Sequence, residues 1–192
     1  MFKFFGRKKE SPNESIEKQR LEVLSLYDSE FAQEILDGDD CDQIANGFGP
    51  FGSKSNPIPV NGPMGEIKYL GKLRVKTGKP VFFHRIGSFN SPGTTKSVDV
   101  YEVVAIDGSQ WANVSLDMYH PRRSDIAPDG FQLIPVPESR DFDLPFGFGT
   151  NELVANFPYG LPEVLDRRYK EMGDFGGKVR ELLAMAKFTR PS

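Results

Sequence analysis

The chain has 192 residues, a formal net charge of −3 at pH 7, 38% hydrophobic residues and 27% charged residues. This length and this balance are typical of one globular domain, and they exclude the compositions of disordered and fibrous proteins. No run approaches the roughly 20 apolar residues that a membrane-spanning helix needs, and a single cysteine cannot form a disulfide framework. We therefore expect a soluble protein of the cytoplasm. The small size of the chain and its small share of disordered sequence favour a bacterial origin.

Charge is distributed unevenly along the sequence. Residues 1–10 carry four basic side chains and one acidic side chain, and no apolar segment of the signal-peptide type follows them. We expect a flexible basic N-terminus there and a single domain over residues 11–192. Residues 11–45 carry ten acidic and two basic side chains. The remainder is close to balance and lacks the clustered basic footprint of nucleic-acid-binding proteins, so no nucleic-acid partner is predicted.

The acidic N-terminal segment has the start and stop signals of a helix. Ser11 is a candidate N-cap, Pro12 suits the first helical position, and Glu14 is placed to complete a capping box. Gly38 is a candidate C-cap, and the pattern allows a break into two helices near Asp28. Apolar residues recur between these ends at helical spacing. They are Ile16, Val23, Leu24, Tyr27, Phe31 and Ile35.

Residues 39–66 are rich in glycine and proline, which excludes a long helix or a central strand. Long irregular connections are uncommon in compact domains and are often functional loops. We expect an ordered loop that is anchored by Phe48, Phe51, Ile58 and Val60.

A first β-hairpin is predicted to join strands over residues 67–76 and 81–86 through a Thr-Gly turn. This pairing places Leu73 opposite Phe82, because side chains alternate between the two faces of a strand. His84 lies on the same apolar face, so we expect it to be a buried structural histidine.

A second β-hairpin is predicted over residues 98–106 and 109–118, around an Asp-Gly turn that suits the type I′ conformation. One face of this hairpin is apolar. Its members are Tyr101, Val103, Ala112, Val114, Leu116 and Met118. The opposite, largely polar face is predicted to be solvated. Its members are Glu102 across from Asn113, Val104 across from Trp111, and Ser115 near Asp117.

The chain is predicted to close with a short strand over residues 131–136 and two helices. The first of these helices begins at Pro162 and runs to about Met172, and the second begins near Asp174. The predicted fold class is α+β, with a small antiparallel sheet of hairpins packed with an N-terminal helix and a C-terminal helical pair.

Standard catalytic and metal-binding motifs are absent from the sequence. There is no phosphate-binding loop, no nucleophile elbow and no His-Glu-x-x-His pattern. Asp39, Asp40 and Asp42 do not have the spacing of an EF-hand loop. Cys41 lies among these aspartates, whose negative charge disfavours a reactive thiolate. The sequence therefore predicts no cofactor and no metal site.

Candidate catalytic residues are His120, Glu102 and Asp117, which lie in or just beyond the second hairpin. His120 is followed by Arg122 and Arg123 in a loop after a strand, where binding groups often occur. Guanidinium groups bind carboxylate or phosphate through paired hydrogen bonds, which makes the two arginines candidate ligand-binding residues. The alternative is an exposed turn whose arginines pair with the acidic N-terminal helix.

Two further groups are candidate contact residues for a partner. Trp111 is predicted to lie on the polar face beside Asn113, and an exposed tryptophan often marks a contact site. The alternative is that the loop at residues 47–60 or a terminal helix covers Trp111. Glu22, Glu30 and Glu34 of the acidic helix form a candidate docking surface for a basic partner, and the alternative is an ordinary solvated face.

These patterns favour a non-catalytic binding or protein-interaction module of the accessory or inhibitor type, with another protein as its partner. The alternative is a small hydrolase or phosphodiesterase-like enzyme that uses the loop containing His120, Arg122 and Arg123, with Glu102 and Asp117. A third interpretation lies between these two, in which the arginines bind an anionic ligand without turnover.

Overall fold

A computed structural model describes residues 12–134 and 147–190 of the chain. The predicted N-cap Ser11, the basic N-terminus and the end of the predicted strand at 131–136 lie outside these residues. Five helices are described. They are α1 (Pro12–Leu26), α2 (Ser29–Leu36), α3 (Gly62–Lys72), α4 (Leu161–Tyr169) and α5 (Phe175–Ala184).

Seven strands are described and form two sheets. They are β1 (Ile58–Pro59), β2 (Leu73–Val75), β3 (Val81–Asn90), β4 (Ser97–Ala105), β5 (Trp111–Asp117), β6 (Phe131–Leu133) and β7 (Gly149–Thr150). Five strands pair in the order β1-β5-β4-β3-β7, and β2 pairs with β6. The three central strands are antiparallel, whereas the short outer strands β1 and β7 are parallel to their neighbours. The predicted α+β class is confirmed, and the sheet is mixed.

The second hairpin is confirmed with its predicted register. Glu102 lies opposite Asn113, and Val104 lies opposite Trp111. The turn places Gly108 at a φ of +74°, a left-handed conformation that glycine adopts without a steric penalty.

The predicted first hairpin is wrong, because residues 62–72 form a helix and not a strand. Pro63 lies in the first turn of α3, where its missing N–H is not needed, and Ile67 and Leu70 then recur at helical spacing on the buried side. Only the last part of the predicted strand is extended, as β2, and it pairs with β6 and not with β3. Leu73 accordingly lies opposite Leu133, not opposite Phe82.

The break predicted in the N-terminal helix is confirmed. Asp28 caps α2, and its carboxylate accepts a hydrogen bond from the backbone N–H of Phe31 at 3.0 Å. In the loop that follows, Ile58 and Val60 are fully buried and Phe51 packs against the core, as predicted. Phe48 does not anchor the loop, because 58% of its surface is exposed.

Each face of the five-stranded sheet is covered by its own apolar cluster. One face packs against α3 and includes Tyr101, Val103 and Leu116. The other face packs against the predicted C-terminal helical pair, α4 and α5, and includes Phe82 and Val104. The prediction that this second face is solvated is therefore wrong for most of its length. No described helix combines the length and the apolar character needed to cross a bilayer.

Candidate functional site

The segment that follows β5, residues 119–125, separates two depressions on the surface. It runs beside the end of β1, where the backbone N–H of His120 donates to the carbonyl of Val60 at 3.3 Å. The backbone N–H of Ser124 donates to the carbonyl of Pro59 at 2.9 Å. These bonds fix the directions in which the side chains of the segment point.

His120 is buried against Asp117, the last residue of β5. Its Nε2 lies 3.5 Å from Asp117 Oδ2, and its Nδ1 donates to the carbonyl of Asp39 at 2.9 Å. Burial lowers the pKa of His120, but the contacts with Asp117 and Asp39 outweigh burial and the pKa is raised. Cys41 Sγ lies 3.9 Å from His120 Nδ1. Burial and the neighbouring Asp39 raise the pKa of this thiol, as expected for a cysteine that is not a nucleophile.

One depression, the acidic groove, has a volume of about 810 Å³ and lies between α2 and residues 94–96, with His120 in its lining. Its acidic lining residues are Glu30, Glu34, Asp37, Asp39 and Asp117. Lys96 is the basic residue of this lining, and it is ion-paired with Glu34. The groove therefore carries a negative charge.

Arg122 is held by carboxylates of the chain itself. Its guanidinium donates to Asp40 and, at 2.6 Å, to Asp42, and only 14% of its side chain is exposed. The hydrogen bond from Arg122 lowers the pKa of Asp42. Asp42 also accepts a hydrogen bond from the backbone N–H of Asp125 at 2.9 Å. Arg122 thus ties residues 39–42 to residues 122–125, and it pairs with this acidic loop and not with the predicted helix.

Arg123 points to the opposite side of the segment. Its side chain is 13% exposed, and its Nη1 donates to Asn61 Oδ1 at 3.1 Å and lies 3.8 Å from Glu22 Oε2. Its backbone N–H donates to Gln19 Oε1 at 3.0 Å, which leaves the amide NH₂ group of Gln19 available as a donor. Burial lowers the pKa of Arg123 to about 10.

Arg123 lines the second depression, the basic pocket, which has a volume of about 280 Å³ and lies between α1, α3 and residues 123–125. Its polar lining residues are Ser15, Gln19, Lys72, Arg123, Ser124 and Asp125. Burial and the nearby Arg123 lower the pKa of Lys72, which is half-buried, whereas the charge of Asp125 in the same lining raises it. In the part of the chain that the structure describes, no carboxylate lies within ion-pairing distance of the Lys72 ammonium.

Lys72 and Arg123 line the basic pocket together with one carboxylate, that of Asp125, so positive charge exceeds negative charge there. Lys68 pairs with Glu22, and its pKa is lowered by burial and by the charges of Arg123 and Lys18. An anion that binds beside such a lysine stabilises its charged form, which the neighbouring positive charges disfavour.

Glu102 lies in a different environment, under α4 and α5, and it is almost fully buried. It accepts hydrogen bonds from His84 Nε2 at 2.8 Å and from Trp111 Nε1 at 2.8 Å, and Arg190 lies 2.7 Å away. His84 in turn accepts a hydrogen bond at Nδ1 from the backbone N–H of Val154 at 3.0 Å. Burial lowers the pKa of His84, so a neutral imidazole and an ionised carboxylate fit this arrangement.

The candidate catalytic residues are thus only partly brought together. His120 and Asp117 meet at the acidic groove, whereas Glu102 pairs across the strands with Asn113, four residues before Asp117. Four residues along a strand separate side chains by about 13 Å. Arg122 and Arg123 point to different partners.

The candidate contact residues for a partner differ from one another in burial and in ion pairing. Trp111 is half-buried and donates to Glu102, while Asn113 is exposed. Glu22 is paired with Lys68, as described above. Among the described contacts Glu34 is ion-paired and Glu30 is not. Lys72, Gln19 and Ser15 are not among the predicted site residues. Interpreting residues 67–76 as a strand hid the close approach of Lys72 to Lys68, and the position of α1 beside α3 is a tertiary contact with no local sequence signal.

The two histidines should titrate on opposite sides of 6.5, the ordinary pKa of a histidine. The unfolded chain binds a proton at His84 more readily than the folded protein, so the contribution of His84 to stability decreases as the pH falls below about 6.5. The contribution of His120, which favours the protonated form, is lost as the pH rises through its raised pKa. We expect two imidazole NMR signals with midpoints below and above 6.5, assigned with His84→Gln; two midpoints on the same side would contradict these environments.

No group of three or more His, Cys, Asp or Glu side chains suited to a metal ion occurs in residues 12–134 and 147–190. No family model, no curated protein and no solved structure matches the chain.

Proposed function

We propose that the protein is a non-catalytic binding protein whose ligand presents an anionic group to the basic pocket. The observation that supports this proposal is the adjacency of Lys72 and Arg123 in the lining of a cavity, where no described carboxylate pairs with Lys72. Two cations at close range repel each other, and a carboxylate or phosphate between them replaces this repulsion with charge-assisted hydrogen bonds. Gln19 and Ser15 add uncharged donors from α1.

Binding without turnover fits the chemistry of this lining. Among the described residues, the lining of the basic pocket includes no histidine and no cysteine, which are common groups for general acid–base and nucleophilic catalysis. The hydroxyl of Ser124 donates to the carbonyl of Asp42 at 2.9 Å. The His120–Asp117 pair is part of the lining of the acidic groove. The docking of a partner protein on Glu22, Glu30 and Glu34 and the hydrolase alternative stay predictions.

Replacing Lys72 by methionine should weaken the binding of phenyl phosphate by at least about tenfold, since a hydrogen bond to a charged group contributes about 1.5–3 kcal/mol. Isothermal titration calorimetry at low salt measures this change. Lys72→Met also removes a cation from a positively charged environment, so we expect the variant to fold.

The matched control is Lys76→Met, which removes the same charge from an exposed position in the turn after β2. This variant should bind phenyl phosphate within about twofold of the wild-type affinity, because an exposed charge is largely screened. Equal affinities of the wild-type protein and Lys72→Met, or no binding by the wild-type protein, would overturn the proposed function.

A further inference from the structure

We infer that the ligand of the basic pocket is an organic anion, in which an apolar body adjoins the charged group, and not a free inorganic ion. This inference rests on the proposed function and concerns the part of the pocket that the charged residues do not form. Tyr69, Leu133 and Ile134 also line the cavity.

The apolar lining comes from α3 and from the end of β6. The hydroxyl of Tyr69 donates to the carbonyl of Ile126 at 2.6 Å, and only 1% of this residue is exposed, so the accessible apolar surface comes mainly from Leu133 and Ile134. Leu133 and Ile134 are half-buried, which leaves part of each side chain in contact with solvent. The backbone N–H of Ile134 donates to the carbonyl of Lys72 at 3.2 Å. This bond fixes the apolar side chain of Ile134 next to the residue that carries the charge.

The size of the pocket supports the same conclusion. Its volume of about 280 Å³ is close to the lower end of the range for small-molecule sites, about 300–1,000 Å³. A water molecule occupies about 30 Å³, so an inorganic oxyanion fills only part of this space. The remaining space lies against Leu133 and Ile134, where an apolar body displaces water from apolar surface, and such displacement is favourable.

The charged group can be a phosphate or a carboxylate, since both accept hydrogen bonds from a guanidinium and an ammonium. Titration calorimetry with inorganic phosphate and phenyl phosphate, and with acetate and phenylacetate, distinguishes these sources. We expect the aromatic member of at least one pair to bind at least tenfold more tightly than its small counterpart. The pair that shows this difference identifies the charged group.

The variant Ile134→Ala tests the apolar lining directly. It should weaken binding of the preferred aromatic anion by about threefold to tenfold and leave binding of the small anion within twofold. Ile134 belongs to neither of the two apolar clusters that cover the sheet, so we expect the variant to fold. The matched control is Ile126→Ala, at an exposed position that does not line the pocket, and it should change neither affinity.

The outcomes separate this inference from the proposed function. Equal affinities for the small and aromatic anions, with both weakened in Lys72→Met, would overturn the inference and leave the proposed function intact. The inference would also be overturned if the aromatic anion binds more tightly than the small one but Ile134→Ala does not weaken its binding, because the apolar lining would then not be the cause of the difference. If none of the four anions binds, the proposed function fails, and this inference fails with it.

Discussion

Replacing Glu102 by alanine should lower the free energy of unfolding by about 2–5 kcal/mol, because two hydrogen-bond donors lose their charged acceptor at a buried position. The substitution leaves the N–H groups of the buried His84 and the half-buried Trp111 without their acceptor. Each buried donor that loses its partner costs about 1–3 kcal/mol. Glu102 was a candidate catalytic residue, and the structure indicates that it stabilises the contact between the sheet and the C-terminal helices.

Urea denaturation followed by circular dichroism measures this loss. Asn113→Ala is the matched control, because Asn113 lies directly opposite Glu102 but is exposed, and it should change stability by less than about 0.5 kcal/mol. Glu102→Gln keeps one acceptor oxygen, so its loss of stability should lie between those of Asn113→Ala and Glu102→Ala. A loss below about 1 kcal/mol for Glu102→Ala would contradict the role assigned to this carboxylate.

Replacing Arg122 by alanine should lower the free energy of unfolding by about 2 kcal/mol and should leave the binding of phenyl phosphate almost unchanged. Arg122 donates to Asp40 and Asp42, and hydrogen bonds to charged groups contribute about 1.5–3 kcal/mol. Both carboxylates are about 40% exposed, so solvent screening reduces the effect of the two bonds taken together. Arg122 lines neither of the two depressions, which is why binding should persist.

Hydrogen exchange provides the local test of the Arg122 prediction, since amides in residues 39–42 should exchange faster in the variant. Arg167→Ala is the control, because Arg167 pairs with Glu152 at a position where 70% of its side chain is exposed, and such pairs contribute little. A tenfold loss of affinity for phenyl phosphate in Arg122→Ala, with unchanged hydrogen-exchange rates at residues 39–42, would contradict this prediction and indicate that Arg122 binds the ligand.

The second hairpin was predictable in detail because its information is local. An Asp-Gly pair selects one turn geometry, and that geometry fixes which residues face each other, so the pairing of Glu102 with Asn113 follows directly. The caps of α2 and α5 are equally local, since Asp28 and Asp174 each accept a hydrogen bond from a backbone N–H three residues ahead.

The helix α3 could not be recognised from the same kind of signal. Gly65 and Gly71 lower its intrinsic propensity, and the glycines and prolines of the preceding loop extend into its first turn. Burial of Ile67, Tyr69 and Leu70 against the sheet stabilises this helix, and that is a tertiary effect. The missed helix explains why Lys72 was not recognised, because four residues along a strand would separate Lys68 and Lys72 by about 13 Å, whereas one helical turn brings their Cβ atoms to within about 6 Å.

The burial of Glu102 also required information from distant parts of the chain. Alternation along a strand indicates which residues share a face, but it does not show which face the C-terminal helices cover. Glu102 interacts with Arg190, and the imidazole beside it with the backbone of Val154. Neither contact has a local sequence signal. The prediction of a solvated polar face therefore applies only to residues such as Asn113 that α4 and α5 leave exposed.

The most direct test of the proposed binding function is an NMR titration of backbone amides in the wild-type protein with phenyl phosphate. We expect saturable shifts confined to the segments that line the basic pocket, at residues 15–19, 69–72, 123–125 and 133–134, and their loss in Lys72→Met. Shifts centred on the acidic groove, at residues 30–39 and 94–96, or no saturable shifts at all, would contradict it.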